Sequence, residues 1–449
     1  MSRLVLAEMR ASWASWLGVV IVSAITALAC GIAVSMLETG IHAGGDYMQG
    51  FSGGTAAILM FSAPAGIAVI AAITRLAVDL GRPEYARWQL AGVSPTQTSL
   101  VVSAQVVAAS LLGGLIGFVA TTVLAESAIH AAFASGSGEY SSIPVITGGL
   151  TAFVTIPLTV VIAIFGGLRA ARAAGRTSPL AALREPETEA KRMRWWRWVL
   201  FAVILASAAA FFASLFRSTN RSSFLSQGPL IPVVITVVLI AAGPVLYPWV
   251  LRGWTALIPA RMSTSWYLAR HQARYHLSRS TASITPLFTG TALLGGLFTM
   301  TATVDASLRA GGEEGVTLEI SQVLLMLGGP VLLAAAGASV VIFMSNRKQG
   351  SEQALLHASG ATTSTITASA LWQAAIHVAT AALLGGVVVI ATALTTAVAL
   401  SRFVPPDPVI DATYALGLVG VGLILTAFAT VLPVAARSHT SVAAQLVER

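Results

Sequence analysis

Charge and cysteine are what this chain has least of. Only 10% of its 449 residues are Asp, Glu, Lys or Arg, against about a quarter in an ordinary soluble domain. A water-soluble globule of this size is therefore excluded. The single cysteine, Cys30, rules out an intrachain disulfide and a thiolate metal cluster. Its TALAC context resembles a lipoprotein cleavage site, but the apolar run over 13–36 is too long for a signal segment, so a buried thiol is expected. Lys191 and Lys348 are the only lysines, and neither closes a GxxxxGK[ST] phosphate loop. An HExxH zinc motif is missing too. These absences argue against an enzyme and against a metal or cofactor held by this chain.

What fills the sequence is apolar. Hydrophobic residues make up 56% of it, and the mean hydropathy is +0.80. A run of about 20 apolar residues crosses a ~30 Å hydrocarbon core as a helix. Ten such runs are present, at 13–36, 53–77, 98–124, 146–168, 198–216, 229–251, 283–304, 320–345, 368–398 and 412–436. The expected fold is an all-α integral membrane protein of about ten transmembrane helices. An even number puts both termini on one side. Lys and Arg stay on the cytoplasmic side, and with a cytoplasmic N-terminus every one of them is inside except Arg217, Arg221, Arg309 and Arg402. Both termini are thus expected in the cytoplasm. None of the loops assigned to the outside is long enough to form a domain.

The chain also repeats itself. A polar stretch at 81–95, GRPEYARWQLAGVSP, reads as a short helix between two apolar runs, and it returns at 350–362 as GSEQALLHASGAT. Glu84 then stands over Glu352, Ala86 over Ala354, Gly92 over Gly360 and Ser94 over Thr362. The apolar run that follows carries Gln105 in one copy and Gln373 in the other, and later the string LLGG, at 111–114 and 383–386. The LLGG strings read as close helix-packing sites. Amphipathic lead-ins precede the first and seventh runs, at 2–12 and 265–280, and RTSPLAALRE at 176–185 matches HTSVAAQLVE at 439–448. An internal duplication explains all of these together. It divides the chain into a first four-helix repeat (1–185), a linker with two helices (186–264) and a second four-helix repeat (265–449).

Ionisable groups are nearly absent from the apolar runs. A carrier driven by protons or sodium ions uses such groups to define its path, so that class is disfavoured. Only Gln105, Gln373 and His377 stand out, the last two one turn apart on one helix face. They mark either a polar spot in a substrate path or interhelical hydrogen bonds that fix packing. Gly92 and Gly360 each stand where a left-handed helix stop is expected before a new helix.

The doubled polar helix resembles the FtsX-like (MacB-like) permease family, the membrane subunits of a class of ABC transporters. That family carries a cytoplasmic motif close to E-x-A-x-x-x-A-x-G-x-[ST] in a four-helix unit. It stands here as Glu84, Ala86, Leu90, Gly92 and Ser94, and again as Glu352, Ala354, Ala358, Gly360 and Thr362. Leu90 departs from the family's small residue. Ten helices in two FtsX-like repeats joined by two linking helices are similar to bacitracin-resistance-type permeases, without their large external domain between helices seven and eight. The resemblance implies that Glu84, Arg87, Gly92, Ser94, Glu352, Gly360 and Thr362 lie on coupling helices that dock on a separate ABC-type ATPase, a dimer on one permease chain. ATP and Mg would then bind the partner. It further implies the bacterial cytoplasmic membrane, mechanotransmission, export of a lipid, peptide or hydrophobic antibiotic, and no nucleic-acid partner. A signalling subunit driven by an ATPase and a secondary carrier are the competing classes.

Overall fold

A computed structural model describes residues 13–133, 143–176, 195–218, 220, 221, 224, 227–259, 261, 263–275, 277–312, 320–348, 356 and 359–437. Among these residues the secondary structure is helical, without strands. The helices are α1 (Trp13–Ala43), α2 (Gly45–Leu90), α3 (Pro95–Phe133), α4 (Gly149–Gly175), α5 (Trp195–Arg217), α6 (Leu230–Leu257), α7 (Thr264–Tyr275), α8 (Leu277–Ala310), α9 (Ile320–Lys348), α10 (Thr363–Leu400) and α11 (Thr413–Arg437). Among the described residues nine helices are long and apolar enough to cross a membrane, and α11 is apolar over Thr413–Phe428. Helices that are hydrophobic all round need an apolar solvent. This is a multi-pass membrane protein.

Packing gathers the chain into two compact units, Met1–Glu187 with Glu319–Lys348, and Thr188–Leu318 with Gln349–Arg449. The units of packing are not the units of the sequence repeat. Helix α9 belongs to the first unit although it lies between α8 and α10 in the chain. Small residues explain its placement, because lipid tails are as apolar as leucine and helices associate where backbones can approach. A Cβ on Gly329 would stand 2.5 Å from Ala29 and 2.7 Å from the Ser62 hydroxyl, and one on Gly337 would stand 2.4 Å from Val69.

In the first unit α1 is central, buried through Trp16, Val22, Cys30, Val34 and Met36. Helices α2, α3, α4 and α9 pack around it. The Cys30 thiol is buried, as its apolar setting led us to expect. In the second unit α8 takes that place, with Ile284, Phe288, Ala292, Leu297 and Leu308 buried, and α6, α7, α10 and α11 pack on it.

The centres of the two units are built alike. In the first, Gly113 of α3 meets Ser23 and Ala24 of α1; in the second, Gly385 of α10 meets Thr291 and Ala292 of α8. Ser23 and Thr291 have the same spacing as Glu84 and Glu352. At that spacing Thr39 matches Ser307. The Thr39 hydroxyl accepts from the Ile146 amide at 3.0 Å, and the Ser307 hydroxyl from the Asp407 amide at 3.2 Å. In the second unit the contact grows into a ladder. Thr303 and Thr299 donate to the carbonyls of Val409 and Asp411 and accept from their amides. Four residues of helix rise about 6.0 Å and two of extended chain about 6.6 Å, so the two repeats stay in step.

Candidate coupling site

The polar stretch at 81–95 is not a separate helix: residues 81–90 are the end of α2, and a turn leads from them to Pro95, the start of α3. Nothing between the apolar run and Glu84 stops the helix. Gly81 is tolerated, and Pro83 removes a single hydrogen bond from its interior. Helix α2 therefore has 46 residues and a length of about 69 Å, more than twice the hydrocarbon core.

One face of this tip is held down. Tyr85 and Ala86 are buried, and the Tyr85 ring covers Gly81, where a Cβ would be 2.9 Å from it. Tyr85 meets Trp88 edge to face at 5.5 Å. The Gln89 amide donates to the Gly175 carbonyl at 3.2 Å, tying the tip to the end of α4. Gly175 has no room for a side chain, since its Cβ would lie 2.3 Å from the Pro95 carbonyl. The other face is open. Arg82, Pro83, Glu84, Arg87, Leu90, Ala91 and Gly92 are exposed, Leu90 by 64%. Asp79 pairs with Arg82 at 2.7 Å, which leaves Glu84 and Arg87 as the outward charges of the last turns.

The turn that follows has a defined geometry. Gly92 has φ +93°, a region that costs an L-residue roughly 1–2 kcal/mol. The Val93 amide donates to the Trp88 carbonyl at 3.0 Å, the long bond of a Schellman stop. Ser94 then opens α3. Its hydroxyl accepts from the Gln97 amide at 3.3 Å, while the Gln97 side chain accepts from the Ser94 amide at 3.0 Å, a reciprocal capping box. Pro95 follows at the first helical position, where its missing N–H costs nothing.

The second copy repeats the turn. Gly360 also has φ +93°. The Ala361 amide donates to the Leu356 carbonyl at 2.9 Å, and the Thr362 hydroxyl caps α10 through the Thr365 amide at 3.3 Å. The G-x-[ST] part of the motif is thus a helix stop followed by a helix start. Residues 349–355, with Glu352, lie outside the described residues, as do 2–12, 177–185 and 439–448.

The three polar residues of the apolar helices fall in different settings. His377 is buried, and its ring nitrogens meet the Ser283 and Ser280 hydroxyls of α8, each at 3.1 Å. Gln373 is buried on the same helix. Gln105 is fully buried in α3, and its amide finds no hydrogen-bond partner among the described residues.

A carboxylate that the pattern of apolar runs passed over holds the far end of the first unit. Glu38 lies in the last turns of α1, beyond the run at 13–36, and is 5% exposed. It accepts from the amides of Gly148 and Thr151 at 2.9 Å, from that of Leu150 at 3.3 Å, and from the Thr151 hydroxyl at 2.5 Å. These groups form the N-terminus of α4, where free N–H groups and the helix dipole favour a negative charge. A Cβ on Gly148 would stand 2.5 Å from the carboxylate. The acid-free start of α4 at Gly148 and Gly149 was the available signal, but nothing local names Glu38.

Fold and site together define a multi-pass helical membrane protein with a doubled helix–glycine–cap turn. No family model and no curated protein matches the chain.

Proposed function

We propose that this chain is the membrane subunit of an ABC transporter in which the α2 tip and its counterpart before α10 are coupling helices. In this reading the chain crosses the bacterial cytoplasmic membrane ten times with both termini inside. Each tip rests in a groove of one subunit of an ATPase dimer, and ATP and Mg stay on that partner. Closure of the dimer moves both tips and drives extrusion of an amphiphilic lipid, peptide or hydrophobic antibiotic by mechanotransmission.

The observation that carries this reading is the recurrence of one device. Gly92 and Gly360 share a torsion, the same long amide bond and a hydroxyl cap two residues later. The same turn stands at the repeat-equivalent place in both copies, as one docking tip for each subunit of an ATPase dimer would have it. The first copy also has an anchored face and an open one, as a tip that must transmit force requires. The positive charge of the segments assigned to the cytoplasm supports the orientation.

The test is purification of the tagged full-length chain from native membranes, scored for an ABC-type ATPase. Two ATPase subunits per chain are expected, and charge reversal at Glu84 and Glu352 together should release them while leaving the chain in the membrane. Absence of an ATPase under gentle extraction, or full association and transport by the double variant, would overturn the proposal.

A further inference from the structure

Helix α6 ends at Leu257, and α7 turns back so that its cationic face meets that end. The Arg274 guanidinium donates to the Arg252 carbonyl at 3.0 Å and to the Thr255 hydroxyl at 2.8 Å, and Arg270 donates to the Ile258 carbonyl at 3.4 Å. The simplest account is that both arginines cap the carbonyl end of α6. It leaves too much over. A guanidinium has five N–H donors, and the Nε atoms of Arg270 and Arg274 are shielded from solvent without a partner among the described residues.

No carboxylate is near in sequence either, since the chain has no Asp or Glu between Glu189 and Asp305. Burial, then the neighbouring charges of Arg270 and Arg252, push the Arg274 pKa below its ordinary value. Among the described residues no carboxylate pairs with these three cations, and such a cluster calls for an anion.

The surroundings say which kind. Trp266 of α7 is buried between Trp254 of α6, at 6.3 Å, and Trp372 of α10, at 5.3 Å. Tryptophans gather where a membrane helix leaves the hydrocarbon. Along α6, Val245, Trp249 and Arg252 follow one another at helical spacing, and Val245 and Trp249 are 43% and 76% exposed. An outward apolar stripe ending in a cation matches an acyl chain ending in a phosphate.

We propose that Arg252, Arg270 and Arg274 form a phosphate site that holds the headgroup of an anionic phospholipid, with its acyl chains along Val245 and Trp249. The leaflet, the cytoplasmic one, rests on the orientation proposed above; the headgroup chemistry and its test do not.

The experiment is native mass spectrometry of the full-length chain in detergent with dioleoylphosphatidylglycerol, dioleoylphosphatidylcholine or millimolar inorganic phosphate. Wild type should retain phosphatidylglycerol over phosphatidylcholine. R270Q/R274Q should lose that retention by about tenfold or more, at roughly 1 kcal/mol for each basic residue near a charged lipid surface. R270K/R274K should keep most of it, and the distant R309Q all of it. Should R270Q/R274Q fail to fold, R252Q at the exposed arginine should lower the retention by about fivefold, the share of one basic residue. Displacement of the lipid by inorganic phosphate would assign the cluster to a soluble phosphate and overturn the lipid source. Equal retention of the two lipids by wild type, or undiminished phosphatidylglycerol on folded R270Q/R274Q, would overturn the site itself.

Discussion

The Thr151 hydroxyl and amide both donate to one carboxylate oxygen of Glu38, at 2.5 and 2.9 Å, across 113 residues of chain. This contact fastens the end of α1 to the start of α4 inside the first unit. The carboxylate supplies the N-terminal acceptor that the sequence of α4 does not provide for itself.

Glu38→Ala should therefore destabilise the protein by about 2–3 kcal/mol, because buried amides lose a charged acceptor. Glu38→Gln should cost less, since one oxygen remains as an acceptor while the amide adds donors facing donors. Thermal unfolding of the detergent-solubilised chain checks this order. A melting temperature unchanged in Glu38→Ala would show that water satisfies the α4 amides equally well.

His377 joins α10 to α8 through the Ser283 and Ser280 hydroxyls, each at 3.1 Å. A neutral imidazole donates from one nitrogen and accepts at the other. One serine hydroxyl therefore turns its proton to the ring, while the other is free to donate to a carbonyl, Ser280 to Ala273 of α7 or Ser283 to Ser280 of α8. His377→Leu should lower stability by about 1 kcal/mol, because Ser280 and Ser283 lose the ring and keep only their carbonyl partners, Ala273 and Ser280. The triple variant with S280A and S283A should recover part of that loss. A histidine serving only a substrate path would show lost transport and no such recovery.

The amount legible in the sequence varied with how local the cause was. Ten apolar runs announced the helical membrane class, because a helix long enough to cross lipid is read from composition alone. Gly92 and Gly360 were legible as stops because each is followed two residues later by a residue that starts a helix. The continuity of α2 through the polar tip was not, since the stretch at 81–95 reads as a short helix of its own until Tyr85 is seen covering Gly81. Glu38 and the arginines of α6 and α7 stayed hidden for another reason. Their partners are set by folding, and no spacing in the chain encodes a contact between α1 and α4. Placement of α9 with the first unit is likewise a matter of which glycines face which side chains.

The two LLGG strings give a sharp test of helix approach. In each copy the first glycine is tight and the second has room. A Cβ on Gly113 would stand 2.6 Å from the Val20 carbonyl and one on Gly385 2.7 Å from the Thr291 hydroxyl. On Gly114 the nearest atom is at 3.6 Å, and Gly386 has nothing within 4 Å. Gly113→Val and Gly385→Val should reduce folded yield severely, with a cost of about 1–3 kcal/mol or more. Gly114→Ala and Gly386→Ala should be tolerated. Size-exclusion profiles and thermal unfolding in detergent separate the cases, and equal behaviour at both positions of a string would contradict the close crossing.

The last prediction concerns the turn glycines, where stability and coupling should part company. Nothing lies within 4 Å of a Cβ on Gly92 or Gly360, so a side chain there meets no steric obstacle. The penalty is confined to the backbone, which at φ +93° disfavours alanine by about 1 kcal/mol. Relaxing that strain means re-aiming the helix end, since the long amide bond and the hydroxyl cap depend on the same torsion. Gly92→Ala with Gly360→Ala should therefore leave a folded, membrane-inserted chain whose tips point elsewhere. Retention of an ATPase should fall, while Gly→Asn at both positions, which tolerates the left-handed region better, should restore much of it. If the alanine pair lowers thermal stability substantially and the asparagine pair behaves no differently, the glycines serve folding rather than docking.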